Sequence, residues 1–230
     1  LGVTVFFVLS GCLITRILIT ESEETHTIEL KNCWVRRIRR LIPAVLSMAV
    51  VIIFVSAVVN RVVFTKGCKD FVASVLGFNN WWQIFNKVSY FEAAGAPSPF
   101  THCWSLAIET QFYLIYPILL LLLARVVRGR KKRGKVFAIV SVLLAVVSMI
   151  LMAVLYNPNG DPSRVYYGTD TRAFALLIGA LAAIQLEYRI IKVRLPRKIW
   201  ALIGSISLVI LTCMMIFISS YSSFLYWAVR

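Results

Sequence analysis

The sequence predicts an all-α, polytopic transmembrane helical bundle, and three observations predict it. The 230-residue chain is 60% hydrophobic and only 15% charged, whereas an average soluble domain is about 45–50% apolar and about 25% charged. Its mean hydropathy is +0.81. Its uncharged runs are long, near 1–15, 41–60, 71–86, 110–124, 136–160, 173–186 and 199–229. A composition of this kind cannot cover a water-facing globule with polar side chains. It also excludes a disordered chain, a collagen-like fibre and a small disulfide scaffold. The spanning element is a helix, because no water is present at bilayer depth to satisfy loose backbone groups. The runs are too long for barrel strands.

The net charge of +15, from 25 Lys and Arg against 10 Asp and Glu, fixes the orientation. Most of the basic residues fall into three clusters, at 16–40, 125–135 and 189–198, between the apolar runs. A nucleic-acid module would gather them on one face of a soluble fold, so nucleic acid is not an expected partner. The clusters instead mark one side of a bilayer, by the positive-inside rule.

About 20 residues cross the roughly 30 Å hydrocarbon core. With the basic clusters cytoplasmic, spans are expected near 1–19 (inward), 41–63 (outward), 105–124 (inward), 136–156 (outward), 172–188 (inward) and 199–219 (outward). Alternation closes if 71–86 is a re-entrant or interfacial helix, and Asn79, Asn80, Trp81, Trp82 and Gln83 suit the headgroup level. A seventh full span is the alternative. The chain begins at Leu1 inside an apolar run and stops at Arg230 just after another. Residues 1–230 are therefore expected to be one partial membrane domain of a longer protein. The five cysteines form no CxxC and predict no metal site. Cys68 and Cys103 fall on the same expected side, so a bridge between them stays open beside the reading of small buried hydrophobes.

Polar residues at membrane depth are functional candidates. Residues 101–117 are the strongest stretch. On a 3.6-residue period His102, Ser105, Glu109, Phe112, Tyr113 and Tyr116 share one face, at the outer mouth of a span. Glu109 can equally be a structural partner for an arginine on a neighbouring span, and His102 an interfacial histidine. A second cluster runs from Tyr166 and Tyr167 through Asp170 to Arg172. Asp170 can cap a helix there and Arg172 can snorkel. A Glu–Arg or Asp–Arg pair across helices would lower the cost of burial and build an outward-facing polar cavity. On the basic side, Arg37 and Arg40 stand three apart on one helix face before Pro43. Two guanidiniums so spaced suit phosphate oxygens of a nucleotide-bearing donor, or anchor the chain to anionic lipid. The clusters at 125–135 and 189–198 read as anchors.

With these residues in view, the sequence resembles the membrane-bound acyltransferase family 3, the O-acyltransferases of surface polysaccharides and peptidoglycan. The matching segments are Gly2-Val3 through Phe6-Phe7-Val8-Leu9-Ser10-Gly11, Arg37-x-x-Arg40-x-x-Pro43, His102-x-Trp104-Ser105-Leu106-x-x-Glu109-x-Gln111-Phe112-Tyr113, and Tyr167-x-Thr169-Asp170-Thr171-Arg172. They occur in family order over nearly the whole chain. The stretch from Asn80-Trp81-Trp82 to Ser98-Pro99 looks most like peptidoglycan O-acetyltransferases of Gram-positive bacteria.

The resemblance implies transfer of an acyl group, commonly acetyl, from cytoplasmic acetyl-CoA to a hydroxyl of a cell-envelope glycan such as peptidoglycan. It implies a multi-pass protein of the bacterial cytoplasmic membrane, no metal, and in many members an extracytoplasmic esterase-like domain that completes transfer. Arg37 and Arg40 match the donor-side motif. Glu109 and His102 are then expected in the acceptor-side cavity, Asp170 and Arg172 as orienting charges, and Tyr113 and Tyr167 as relays of acyl group or proton. The family's first span carries an Arg and a His, and the chain begins after it, so residues 1–230 alone are expected to have little activity. Thr110 stands where a second Glu is usual, and Cys103 where an apolar residue is common. A transporter or lipid-binding scaffold, or an acyl-translocating subunit feeding a separate transferase, is the competing expectation.

Overall fold

The structure, a computed structural model, describes residues 2–25, 27–59, 61–90, 98–157, 160–191 and 196–217. His26, Glu92 and the last residues of the expected 199–219 span lie outside these. The described residues form α-helices and no strand: α1 (Gly2–Thr25), α2 (Leu30–Val59), α3 (Arg61–Val75), α4 (Asn79–Phe85), α5 (Trp104–Val126), α6 (Arg130–Leu155), α7 (Ser163–Tyr167), α8 (Thr169–Tyr188) and α9 (Arg197–Phe217). A short 3-10 turn, Thr101–Cys103, leads into α5. Helices α1, α2, α5, α6 and α8 are long and apolar enough to cross a membrane. The chain is thus an all-α, multi-pass membrane bundle. In α9 the described apolar stretch, Lys198–Met214, is shorter.

The centre of the bundle is the packing of α8 against α1 and α6. Two glycines let α1 and α8 approach backbone to backbone. A Cβ on Gly11 would stand 2.9 Å from the Cα of Leu176, and one on Gly179 would stand 2.8 Å from the amide nitrogen of Cys12. Lipid tails are as apolar as leucine, so helices in a bilayer gain from close fit between small residues rather than from hiding from water. Around this seam Phe7, Ile14, Leu18, Leu176, Ala180 and Ile184 are fully buried. Hydroxyls join the next helices. Ser148 Oγ donates to the Asp170 carbonyl at 2.6 Å, and the Tyr116 and Ser141 hydroxyls meet at 3.0 Å.

Among the described residues, members of all three basic clusters (Arg16, Arg36, Arg130, Arg133 and Arg189) gather at one end of the bundle. There part of the positive charge is held by protein rather than left for lipid. Glu23, near the end of α1, takes Arg130 at 3.4 Å, Arg133 at 3.5 Å and the Tyr188 hydroxyl at 3.1 Å. Arg16 pairs with Glu187 at 2.9 Å and Arg36 with Glu21 at 3.1 Å.

The opposite end differs from the expected single helix over 71–86. Leu76, Gly77 and Phe78 turn between α3 and α4, with Gly77 at φ +74°, a left-handed conformation that favours glycine. The amide of Phe78 reaches back to the Ala73 carbonyl at 3.0 Å and closes α3. The polar side chains of α4 point into protein: Asn79, Asn80 and Gln83 are fully buried. Asn80 Nδ2 donates to the Tyr167 carbonyl at 3.0 Å and to Thr169 Oγ1 at 2.9 Å. Gln111 Nε2 donates to the Gly77 carbonyl at 2.9 Å and to Asn80 Oδ1 at 2.8 Å. One knot of amides therefore locks α4 to α5 and α8. All five cysteines are free thiols, with Cys103 buried and Cys68 exposed.

Overpacking a tight seam costs about 1–3 kcal/mol. Gly179→Val is expected to lower the unfolding midpoint of the detergent-solubilised protein clearly. Gly204→Val, at a position on α9 with open space around it, should leave that midpoint within error.

Candidate functional site

Helix α5 carries the candidate residues Glu109 and Tyr113, and its local chain dictates where they face. Pro117 lies inside α5. A proline has no N–H, so the carbonyl four residues earlier, that of Tyr113, loses its helical donor. Trp34 of α2 supplies the missing donor: its indole Nε1 reaches the Tyr113 carbonyl at 3.2 Å. Three residues on, near the same face of α2, the Arg37 guanidinium lies 4.4 Å over the Tyr113 ring. The cation–π contact is favourable where water is scarce.

One turn before Tyr113 stands Glu109, only 4% exposed. Ser10 of α1 and the Tyr113 hydroxyl both donate to Glu109 Oε1, and the two hydroxyls touch each other. Ser10 is itself buried. Arg37, and after it Arg40, act electrostatically on the Glu109 carboxylate. Three helices thus supply a carboxylate, two hydroxyls and guanidinium charge to one interior point. The point is about 7.5 Å below the start of α5, at 1.5 Å per residue.

The other expected site residues divide. Arg37, Glu109 and Tyr113 come together, although the sequence reading put Arg37 at one face of the membrane and Glu109 at the mouth of the other. His102 stands exposed on the 3-10 turn and takes no part in the hydrogen bonds of Glu109. Among the described residues Glu109 forms no ion pair with Arg172, and the Asp–Arg pair across helices is made by Asp170 with Arg164 of α7. The Asp170 carboxylate receives a two-pronged bond from Arg164, Nη1 to Oδ1 at 3.1 Å and Nη2 to Oδ2 at 2.8 Å. Gly168 sits under this fork, where a Cβ would collide with Arg164, Asp170 and Thr171. The Arg172 guanidinium lies 4.8 Å over the Tyr166 ring.

Tyr167 is fully buried in an aromatic cluster. Tyr90 stacks on Tyr166 at 4.4 Å, and Trp104 lies 4.6 Å from Tyr166 and 5.9 Å from Tyr167. Among the described residues the Tyr167 hydroxyl has no hydrogen-bond partner. Its burial, with neighbouring acidic and phenolic groups adding to it, pushes its pKa above the usual phenol range. Phe7 and Trp104 meet edge to face at 6.2 Å. The aromatic wall therefore runs from Tyr167 to within one helical turn of Ser10.

Ser10, Trp34 and Arg164 were not singled out by sequence reasoning. For Ser10 and Trp34 a signal existed: a lone hydroxyl inside an apolar run, and a proline that strips a carbonyl of its donor. Two cavities adjoin these elements. One of about 150 Å³ lies between α2, the α3–α4 turn and α5, with Arg37 and Tyr113 in its wall. A wider open cleft of about 480 Å³ lies among basic residues at the ends of α6 and α8 and shares no lining residue with the Glu109 site. Among the described residues no three of His, Cys, Asp and Glu gather as metal ligands.

Comparison with known proteins matches residues 1–229 to an acyltransferase domain. The chain is 44% identical over 229 residues to the peptidoglycan O-acetyltransferase OatA of Listeria monocytogenes, covering 98% of this chain and 36% of that protein. It is 42% identical over 230 residues to the putative peptidoglycan O-acetyltransferase YrhL of Bacillus subtilis, with coverage of 98% and 36%. A putative O-acetyltransferase of Staphylococcus aureus strain COL is 37% identical over 229 residues, with coverage of 98% and 37%. The chain spans just over a third of the length of these relatives. No solved structure matches it. A family match along almost its whole length, carried on the same helices that assemble the Glu109 site, makes this chain a member of the acyltransferase 3 family.

Proposed function

We propose that residues 1–230 act as one membrane unit of an O-acetyltransferase of the bacterial cytoplasmic membrane. The reaction moves an acetyl group from cytoplasmic acetyl-CoA to a hydroxyl of an extracytoplasmic cell-envelope glycan such as peptidoglycan. One observation carries the reading: a buried carboxylate, Glu109, holds two hydroxyls, and Arg37 of the basic-side motif reaches the same point. The names of the OatA and YrhL relatives supply the reaction class and the acceptor.

The chemistry is set by the group types. Arg37 and Arg40 bind the donor from the basic end, where guanidiniums suit its phosphates. Arg37 then offers positive charge to the oxygen that becomes negative when the thioester carbonyl is attacked. Glu109, alone or through the Tyr113 hydroxyl, takes the proton of the attacking hydroxyl. The new C–O bond forms, the C–S bond breaks, and the thiolate leaves with the proton returned by Glu109. Ser10 keeps the carboxylate oriented. Asp170, held by Arg164, and Arg172, stacked on Tyr166, shape the acceptor side with Tyr167. His102, exposed at that end, meets the acceptor or a partner domain of esterase type.

A general base contributes about 10²–10⁴-fold to rate. In the full-length protein in membrane vesicles, Glu109→Gln is expected to lower transfer of label from acetyl-CoA to glycan at least about 100-fold, with donor binding retained. Transfer within a few-fold of wild type would remove Glu109 from the mechanism. Trp34→Phe deletes one hydrogen bond, worth about 1 kcal/mol. It should lower kcat/KM about fivefold through misplacement of Arg37, and a variant with unchanged kinetics would break that link.

A further inference from the structure

We propose that the cavity beside Tyr113 is the pocket for the hydrocarbon tail of the donor's acyl group, and that it admits tails longer than acetyl. The inference rests on the acyl-transfer reading above. Arg37 and Tyr113 belong both to the Glu109 site and to the wall of this cavity. A thioester carbonyl held at that shared point has its tail directed either at the buried carboxylate or into the cavity, and only the cavity is apolar.

The lining has the matching chemistry. Beyond Arg37 the walls are Ile38, Leu41 and Val45 from α2, Val75 from α3, and Leu106 and Leu114 from α5. The Tyr113 hydroxyl is engaged with Glu109 and Ser10, and the uncharged polar side chains of Ser74, Thr110 and Trp34 are engaged with backbone. Ser74 Oγ donates to the Asp70 carbonyl at 2.8 Å, Thr110 Oγ1 to the Leu106 carbonyl at 2.8 Å, and Trp34 Nε1 to the Tyr113 carbonyl at 3.2 Å. Among the described residues, Arg37 is the one charged residue in the lining. The space therefore suits an amphiphile with its polar end at Arg37 and a saturated tail beyond.

The size also exceeds what acetyl needs. The volume is about 150 Å³, where an enclosed apolar cavity of about that size holds a molecule as large as benzene; this one is open along Ile38 and Leu114, which are 56% and 52% exposed. A two-carbon acetyl group fills a small part of it. Gly77 and Thr110 pack tightly in one wall, where a Cβ on Gly77 would stand 3.0 Å from Thr110 Cγ2.

The test uses full-length protein in membrane vesicles, with acetyl-CoA and butyryl-CoA as donors and the ratio of their kcat/KM values as the readout. That ratio is insensitive to a general loss of folded enzyme. For wild type the butyryl-to-acetyl ratio is expected above about one tenth, and a lower ratio overturns the inference. Each excluded methylene is worth about 10–200-fold, so Val45→Phe is expected to cut the ratio at least about tenfold and Val45→Ala to raise it. A ratio moved by neither variant overturns the inference while leaving acyl transfer intact. Wild-type protein that transfers neither group overturns the acyl-transfer reading itself. Labelling of Leu41 or Val45 by a photoactivatable phospholipid tail, undiminished by butyryl-CoA, assigns the cavity to bilayer lipid and also overturns the inference.

Discussion

A proline inside a membrane helix leaves a carbonyl without its donor, and in α5 that carbonyl belongs to Tyr113. In hydrocarbon such a group is costly unless another donor reaches it. Trp34 of α2 reaches it, and most of the site's geometry depends on that bond. It sets the rotation of α2 against α5, and one turn later Arg37 comes to lie on the Tyr113 ring. It also holds α5 so that Glu109 faces Ser10 of α1. A backbone defect in one helix thus becomes the register mark for two others.

The same site is fixed from the other direction by small residues and amides. Gly11 lies one residue beyond Ser10 and packs against the backbone of α8. The seam that holds α1 in place therefore also holds Ser10 in place. Gln111, two residues beyond Glu109, is bound to Gly77 and Asn80, which stops α5 from turning about its axis. A buried polar network fixes one arrangement when its members are satisfied, and here it holds α5 on a face other than the one that carries the carboxylate. Charge reaches the site from one end of the bundle, while the aromatic wall of Tyr166, Tyr167 and Trp104 leads to it from the other.

Much of this was legible in the sequence. Of the six expected spans, five are described helices of membrane length, and described members of each basic cluster meet at one end of the bundle. The motif residues Arg37, Glu109 and Tyr113 were visible as candidates. Their convergence was not, because sequence position assigns a residue to an end of a span and says little about how far a long guanidinium reaches inward. Residues 71–86 read as one element because nothing charged interrupts them, but Gly77 adopts a left-handed turn that splits them. An Asp–Arg pair across helices was expected, but its arginine, Arg164, was not a candidate, because it sits on a separate short helix whose angle only the folded chain defines. Ser10 stood in the first matching segment but was not read as a site residue, since one hydroxyl barely alters the hydropathy of a span.

Capture of the Tyr113 carbonyl by Trp34, as a consequence of Pro117, is the contact on which the site's assembly rests. A double-mutant cycle tests this most directly, using Trp34→Phe and Pro117→Ala singly and together, with unfolding of the detergent-solubilised full-length protein in SDS as the measurement. Alanine restores the helical donor to the Tyr113 carbonyl, so the tryptophan bond should lose most of its value in that background. A coupling of about 0.5–1.5 kcal/mol between the two sites is the expected result. Additive effects, within about 0.3 kcal/mol, would contradict it.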